Sequence, residues 1–485
     1  MKKVILLFAL SRFLFLANYP HFYDSPEYYQ LSQKGFFESI TLSHQSVHPV
    51  YLFVSQLFQK ISILITGQPS PFALSFISAL FGLVGFISFL FLIKRLFNKK
   101  IAIAGGFALI FFPHLWIVQT NIMHEAVEQG LFLAGLLTFD IFLQNYQQRK
   151  TDQKIKVYVS VLATIVLWSL AILNFPGTII WFPVIFGFTF LRLKLSIKNL
   201  FPPAITIVLS LIAGFAFLYL VLPSNIIDPN KRIAELVFSY GASNIFSDWN
   251  FINLIRTARN IFLISWHGYS PFTIILAALI IAGIIKIKAV NKKLLIILVI
   301  SFLIPFFITG KFWYGGLYGR YSSLIGYFFA LVVGLIKSKK IYWGYIALLI
   351  TFFLSTFLAF QKTPFPIIQQ EIINKAKIDK NNLLILSDYQ RPQLNFTNAL
   401  YIVNDLNKKE IVKTIENNLK ENKRVYISKQ ALTFPYWQYD GQQIHIISKN
   451  NNKKGLLEKS LENFKLNLIS EDNKYPLLSI YEINY

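Results

Sequence analysis

Six short basic clusters punctuate the first 340 residues, and the stretches between them are almost wholly Phe, Leu, Ile, Val and Ala. The clusters are Lys2–Lys3, Lys94–Lys100, Arg149–Lys156, Arg192–Lys198, Lys286–Lys293 and Lys337–Lys340. Apolar runs of roughly 15 to 23 residues separate clusters, or lie between a cluster and a Gly/Pro-rich loop, about one bilayer crossing each. The pattern is that of a multi-pass membrane protein. It also decides which polar residues can share a site.

Composition agrees: 54% of the 485 residues are hydrophobic, 14% are charged, and the mean hydropathy is +0.50, which excludes an ordinary soluble globule. A net charge of +24 would suggest nucleic acid in a soluble chain. Here the charges sit at the ends of apolar runs, so the positive-inside rule accounts for them and no nucleic-acid partner is expected. The chain has no Cys, which excludes disulfide and thiolate chemistry.

Placing Met1–Lys3 in the cytoplasm and alternating sides predicts about eleven crossings. The first, Val4–Ala17, has the basic flank of a signal peptide, but Phe15 makes a poor cleavage site and an uncleaved anchor is expected. An outer loop follows from Asn18 to Pro71. Within it, Val50–Ile65 carries Gln56, Gln59 and Lys60 and reads as an interfacial or re-entrant helix rather than a crossing. The next crossings are Phe72–Ile93, Ile101–Val118, Glu125–Gln144, Val157–Leu173, Thr178–Leu191 and Ile205–Leu222. After an outer loop at 223–270 come Pro271–Ile287, Leu294–Thr309, Tyr321–Ile336 and Ile341–Phe360. Inside segments then hold 20 Lys or Arg and the longer outside loops only eight. Counting Val50–Ile65 as a crossing would put basic loops on the wrong side.

The predicted class is an all-α polytopic membrane domain, residues 1–360, followed by a small extracytoplasmic α/β domain, residues 361–485. The tail turns to Lys, Asn, Glu and Asp, with strand-like runs at Leu383–Leu386, Arg424–Ser428, Gln443–Ile447 and Leu477–Ile483. Helical patterns at Lys409–Asn422 and Lys454–Phe464 alternate with them. Tyr436–Gly441 reads as an aromatic turn, and Asn395–Thr397 as a chance sequon. No repeat, phosphate loop or metal-spaced cluster is found.

The unusual polar residues collect on the predicted outer side. Asp24 and Glu27 follow the first crossing, and His44 and His48-Pro49 close the same loop. His124-Glu125 opens a crossing, the long outer loop holds Arg256, Arg259 and His267, and Lys311, Arg320 and Tyr321 flank a Gly- and aromatic-rich link. A carboxylate can take a proton from a hydroxyl, and a cation can hold a phosphate, so the set suits group transfer from a lipid phosphate. Plainer roles stand beside these. Asp24 could cap a helix starting near Pro26, Glu27 could face solvent, and Glu125 could serve the helix dipole. His48 could merely start a helix, and Lys311 and Arg320 could anchor at the interface. Arg12 could be paired or snorkelling, and Asp140 could be structural.

The N-terminal anchor, the early acid of the first outer loop, His48-Pro49-Val50-Tyr51, Lys94-Arg95-Leu96-Phe97, Phe112-Pro113 and the acid opening the next helix together resemble the glycosyltransferase C (GT-C) superfamily. The likeness is to its protein-mannosyltransferase and aminoarabinose-transferase type. Gly319-Arg320-Tyr321 is similar to the Arg-Tyr that begins a late helix in many members. The resemblance spans residues 5–145 and 310–340. It implies inverting transfer of a sugar from a polyprenyl-phosphate donor to a lipid, glycan or protein acceptor outside the cytoplasm, in a plasma membrane.

Asp24 would then be the general base and Glu125 a second acid, positioning acceptor or an optional divalent cation; no other cofactor is implied. Arg320 with Lys311 would hold the leaving phosphate, and Tyr321, His48, His124, Glu27 and His267 would line the substrate site. Two positions depart from the family pattern: Ser25 follows Asp24 where a second acid is common, and Val50 stands where a second Pro is common. The competing classes are a transporter or flippase for lipid-linked glycans, which would need midplane charges or repeats, and a scaffold.

Overall fold

The computed structural model describes residues 1–18, 25–42, 48–148, 154–193, 197–222, 250–255, 257–259, 261, 271–287, 299–301, 303–305, 323–360, 372–379, 382–387, 399–402, 408–433, 437–439, 444–446, 456–471 and 478–485. Two compact units emerge, one of residues 1–18 and 29–358, the other of 19–28 and 359–485.

The first unit is helical: α1 Lys2–Phe13, α2 Ser25–Leu31 (shared with the second unit), α3 Phe36–Leu42, α4 Pro49–Thr66, α5 Pro71–Leu96, α6 Lys99–Ile110, α7 Pro113–Thr120, α8 Glu125–Gln148 and α9 Lys154–Asn174. A 3-10 turn, Pro176–Trp181, leads into α10 Phe182–Arg192, followed by α11 Ile197–Val221, α12 Pro271–Ile281, α13 Ile325–Leu335 and α14 Lys339–Phe360. Among the described residues, five helices are long and apolar enough to cross a membrane, or six if the bent pair α6–α7 is one span.

The described residues of all six basic clusters gather at one end. Asp140 of α8 accepts from Arg95 Nε at the end of α5 (2.7 Å) and from Arg192 Nε at the end of α10 (2.6 Å). Helix α1 runs antiparallel to α5, with Phe8 stacked on Phe86 and Phe13 beside Phe76, which brings Lys2–Lys3 to the Arg95 end. Helix α9 runs antiparallel to α8 through Thr138–Thr164 (2.9 Å) and Trp168 Nε1 to the Phe132 carbonyl (3.3 Å), so Lys154 and Lys156 join them. Lys337 N–H bonds the Lys286 carbonyl, and Gly334 packs against the carbonyl of Ile101 at the start of α6. These helices therefore alternate in direction relative to one another, as the alternation of basic clusters predicts.

Four predicted crossings need correcting. Ile101–Val118 is not one helix: α6 and α7 meet at a 71° bend, because Pro113 has no N–H to donate and forces Phe112 into an extended conformation. Thr178–Leu191 begins as the 3-10 turn, and Val4–Ala17 is helical only to Phe13. Pro271–Ile287 shortens to α12, and Leu294–Thr309 lies mostly outside the described residues.

Helix α4 is long enough to cross, yet both its ends stay at the end opposite the basic clusters. Its first residues meet Asn174, at the far end of α9. Its last turn folds straight into the start of α5, about 36 Å of helix away from Arg95. Gln59 locks that turn by a reciprocal pair with Ser70 (3.0 and 2.9 Å). The polar side of α4 (Ser55, Gln56, Gln59) is buried, and Phe53, Leu57, Ile61, Leu64 and Ile65 face outward. That is the arrangement of a helix lying in an apolar boundary.

The second unit carries a five-stranded sheet of order β2-β1-β3-β7-β6: β1 Leu383–Ser387, β2 Ala399–Ile402, β3 Val425–Ser428, β6 Lys465–Ser470 and β7 Ile480–Asn484. Strands β1, β2 and β3 are parallel, and β7 is antiparallel to β3 and β6. Alternating side chains supply both faces. Leu383, Ile385, Val425 and Ile427 pack on α15 (Lys408–Lys420), while Leu384, Leu386 and Tyr426 pack on Ile372 and Ile373. The expected aromatic turn is instead a strand: Trp437–Tyr439 (β4) pairs antiparallel with Ile444–Ile446 (β5).

Candidate active site

Four helix ends converge opposite the basic clusters. The fourth-crossing helix α8 begins at Glu125, directly after His124, and α4 begins at Pro49, directly after its cap residue His48. Proline at the first helical position suits both the fixed backbone angle and the missing N–H. The two imidazoles stack, with ring centroids 3.4 Å apart and planes 15° apart. His124 Nε2 lies 3.3 Å from Glu125 Oε1. Every one of these side chains is buried, Glu125 completely.

Asn174, the last residue of α9, ties the group together. Its carbonyl accepts from His48 Nδ1 (2.8 Å), its Oδ1 accepts from the Tyr51 N–H (2.9 Å), and its Nδ2 donates to the His124 carbonyl (3.4 Å). One turn along α8, Glu128 accepts from Thr178 of the 3-10 turn (3.1 Å). The Phe175 ring tilts against both histidines.

A second polar network lies deeper. Arg12, fully buried, donates from Nε to Gln119 Oε1 (3.0 Å) and from Nη1 to the carbonyl of Ile110 (3.0 Å), one of the acceptors released by the helix break. Gln119 donates to Tyr327 (3.1 Å) and Gln129 (3.4 Å), and Gln129 donates to Ser323 (2.6 Å). Arg12 thus does not snorkel: it caps α6 inside the bundle.

The chemistry follows from placement. Two helix N-termini bring their positive dipole ends to this spot, which favours negative charge there. Glu125 answers part of that field as a buried carboxylate beside a titratable imidazole. Among the described residues no three His, Asp or Glu converge closely enough to hold a metal ion.

Of the residues marked in the sequence, His48, His124 and Glu125 come together. Glu27 is half-buried in the first turn of α2 and belongs to the second unit. Asp24, His44, Arg256, His267, Lys311, Arg320 and Tyr321 lie outside the described residues. Ser323, on the described side of the Arg320 segment, is bonded to Gln129, one helical turn from Glu125. Asn174, Thr178, Gln129 and Ser323 carried no mark. The only local hint at Asn174 was a polar residue ending an apolar run just before Phe175-Pro176.

No family model and no curated protein matches the sequence. Solved structures do. ArnT from Cupriavidus metallidurans bound to undecaprenyl phosphate aligns over 99% of this chain and 96% of its own length, at 13% identity and a TM-score of 0.58. The chain has the GT-C fold. The archaeal oligosaccharyltransferase AglB from Archaeoglobus fulgidus, in complex with an inhibitory peptide and a dolichol-phosphate, aligns over 98% of this chain and 79% of its own, at 10% identity and TM-score 0.54. A match to the S. cerevisiae protein O-mannosyltransferase Pmt1-Pmt2 complex spans 45% of this chain and 32% of that one, with 14% identity and TM-score 0.37. It is too partial to bear on the fold.

Proposed function

We propose that this chain is a membrane glycosyltransferase that moves a sugar from a polyprenyl-phosphate donor to an acceptor hydroxyl at the end of the bundle opposite the basic clusters. The observation that carries the reading is the buried His48–His124–Glu125 group, set between two helix N-termini at that end of a GT-C fold. Two structures of that fold are described with a polyprenyl-type phosphate bound.

In this reading Asp24 takes the proton of the acceptor hydroxyl as its oxygen bonds the sugar's anomeric carbon. The bond from that carbon to the phosphate oxygen breaks with inversion, and the electron pair leaves on polyprenyl phosphate. Arg320 and Lys311 hold that phosphate, and preorganised charge of this kind is most effective where water is scarce. Glu125 orients the acceptor, and His48 and His124 fix Glu125 and line the substrate site with Tyr321, Glu27 and His267. A divalent cation at Glu125 is an optional addition through which no step runs. By the positive-inside rule the site faces out of the cytoplasm.

The test is transfer in reconstituted vesicles given radiolabelled polyprenyl-phosphate mannose and other polyprenyl-linked sugars, for wild type and Asp24→Asn. Label reaching an acceptor with wild type alone supports both transferase and base. Equal transfer by both proteins removes Asp24, and no transfer from well-folded protein with acceptor supplied favours a transporter or scaffold.

A further inference from the structure

We propose that Asn174 is the positioning residue of this site: it sets the tautomer of His48 and the seating of His124 and Glu125, resting on the transferase reading above. The first N–H groups of a helix need acceptors, and the residue before the helix normally offers its own side chain. His48 is the cap residue of α4 and makes no such bond with its ring. The Tyr51 N–H is instead satisfied by Asn174 Oδ1, from a helix 123 residues further along the chain. This frees the imidazole of His48 from capping and lets it stack on His124.

The same residue then fixes where the proton on His48 resides. A carbonyl oxygen only accepts, so the 2.8 Å contact between His48 Nδ1 and the Asn174 carbonyl places the hydrogen on Nδ1. The third bond, from Nδ2 to the His124 carbonyl, pins the residue immediately before Glu125. A single buried side chain thereby ties together the starts of α4 and α8 and the end of α9. With the rings 3.4 Å apart, a change of charge near one imidazole acts directly on the other. The other titratable groups at this spot, among the described residues, are Glu125, beside His124, and Glu128 of α8 and Tyr51 of α4, both of which feel the charge of Glu125.

Asn174→Asp keeps the acceptor for Tyr51 but loses the donor to His124 and adds a negative charge beside the imidazoles. Asn174→Ala removes both side-chain bonds. Each variant, full-length in vesicles, is assayed with the donor found active for wild type, and the pH dependence of the rate is recorded. The expected result for Asn174→Ala is a fall in kcat of about tenfold with donor KM within about threefold, the split for a group that acts on orientation rather than binding. For Asn174→Asp the acid limb of the profile should move up by about one pH unit.

Unchanged kcat and pH profile per folded molecule in both variants would overturn the proposal. So would a loss confined to folded yield, which marks a purely structural residue. A second readout needs no turnover: 15N-imidazole spectra of wild type and Asn174→Asp, with His48 and His124 assigned by His→Gln variants. The Nδ1–H form of His48 and a raised imidazole pKa in the Asp variant are expected. The opposite tautomer, or coincident titrations, sinks the proposal even if no donor is active, whereas inactive wild type with the expected spectra faults only the transferase reading.

Discussion

The carboxylate of Asp140 receives the guanidinium of Arg192 at 2.6 Å while its other oxygen receives that of Arg95 at 2.7 Å. One buried acid thus joins the ends of three helices at the basic face of the bundle. Asp140→Ala would leave two cations beside each other, and truncating one partner of a fully buried pair costs about 3–5 kcal/mol. Both arginine side chains keep some solvent contact, 31% and 19% exposed, so screening reduces the expected loss to about 2–3 kcal/mol. Unfolding in detergent measures it; a loss below about 0.5 kcal/mol, the range of ordinary surface changes, would mean the triad is incidental.

Helix α4 should lie at one face of the membrane. The chain has no Cys, so single cysteines report cleanly. Lys34→Cys and Gln68→Cys, both at exposed positions, should react with an impermeant maleimide from the same side of oriented vesicles, and Lys99→Cys from the other. Labelling of positions 34 and 68 from opposite sides would make α4 a crossing.

Glu125→Gln preserves shape beside His124 and removes the charge. Folded yield and thermal stability should stay near wild type while transfer drops about a hundredfold or more, the scale of a lost acid–base or orienting carboxylate. Retained transfer in vesicles would leave Glu125 with the helix dipole as its whole role.

The close crossing of α6 and α13 depends on missing side chains. A Cβ on Gly105 would lie 2.7 Å from the Ala330 carbonyl, and one on Gly334 would lie 2.7 Å from that of Ile101. Both obstacles are backbone, so Gly105→Val should destabilise by about 2 kcal/mol or more through overpacking. Gly344→Ala, where nothing lies within 4 Å, is the control, and equal melting temperatures for the two would refute the account.

Much of the bundle was legible in residue order. Apolar runs marked α5, α8, α9 and α14 to within a few residues, since lipid tolerates only closed backbone bonding along each run. The break at Pro113 was equally readable, yet hydropathy alone joined the two sides, because a 71° bend leaves composition unchanged. In the second unit, the alternating runs at β1, β3 and β7 were visible. The edge strands β2 and β6 were not: Lys465–Ser470 is half-exposed and mixes Lys, Asn and Leu.

For the candidate site, His48, His124 and Glu125 stood out as polar groups at the boundaries of apolar runs. Charge placement along the chain was enough to determine which end of each helix shares a face, because transfer of Lys and Arg across a bilayer is costly whatever the fold. Only the tertiary structure decided that His48 stacks on His124, that Asn174 supplies the missing cap, and that Gln129 holds Ser323. Those contacts join residues 76, 123 and 194 positions apart. Hydrogen bonds depend on distance and angle in space, and no local pattern of residues carries either.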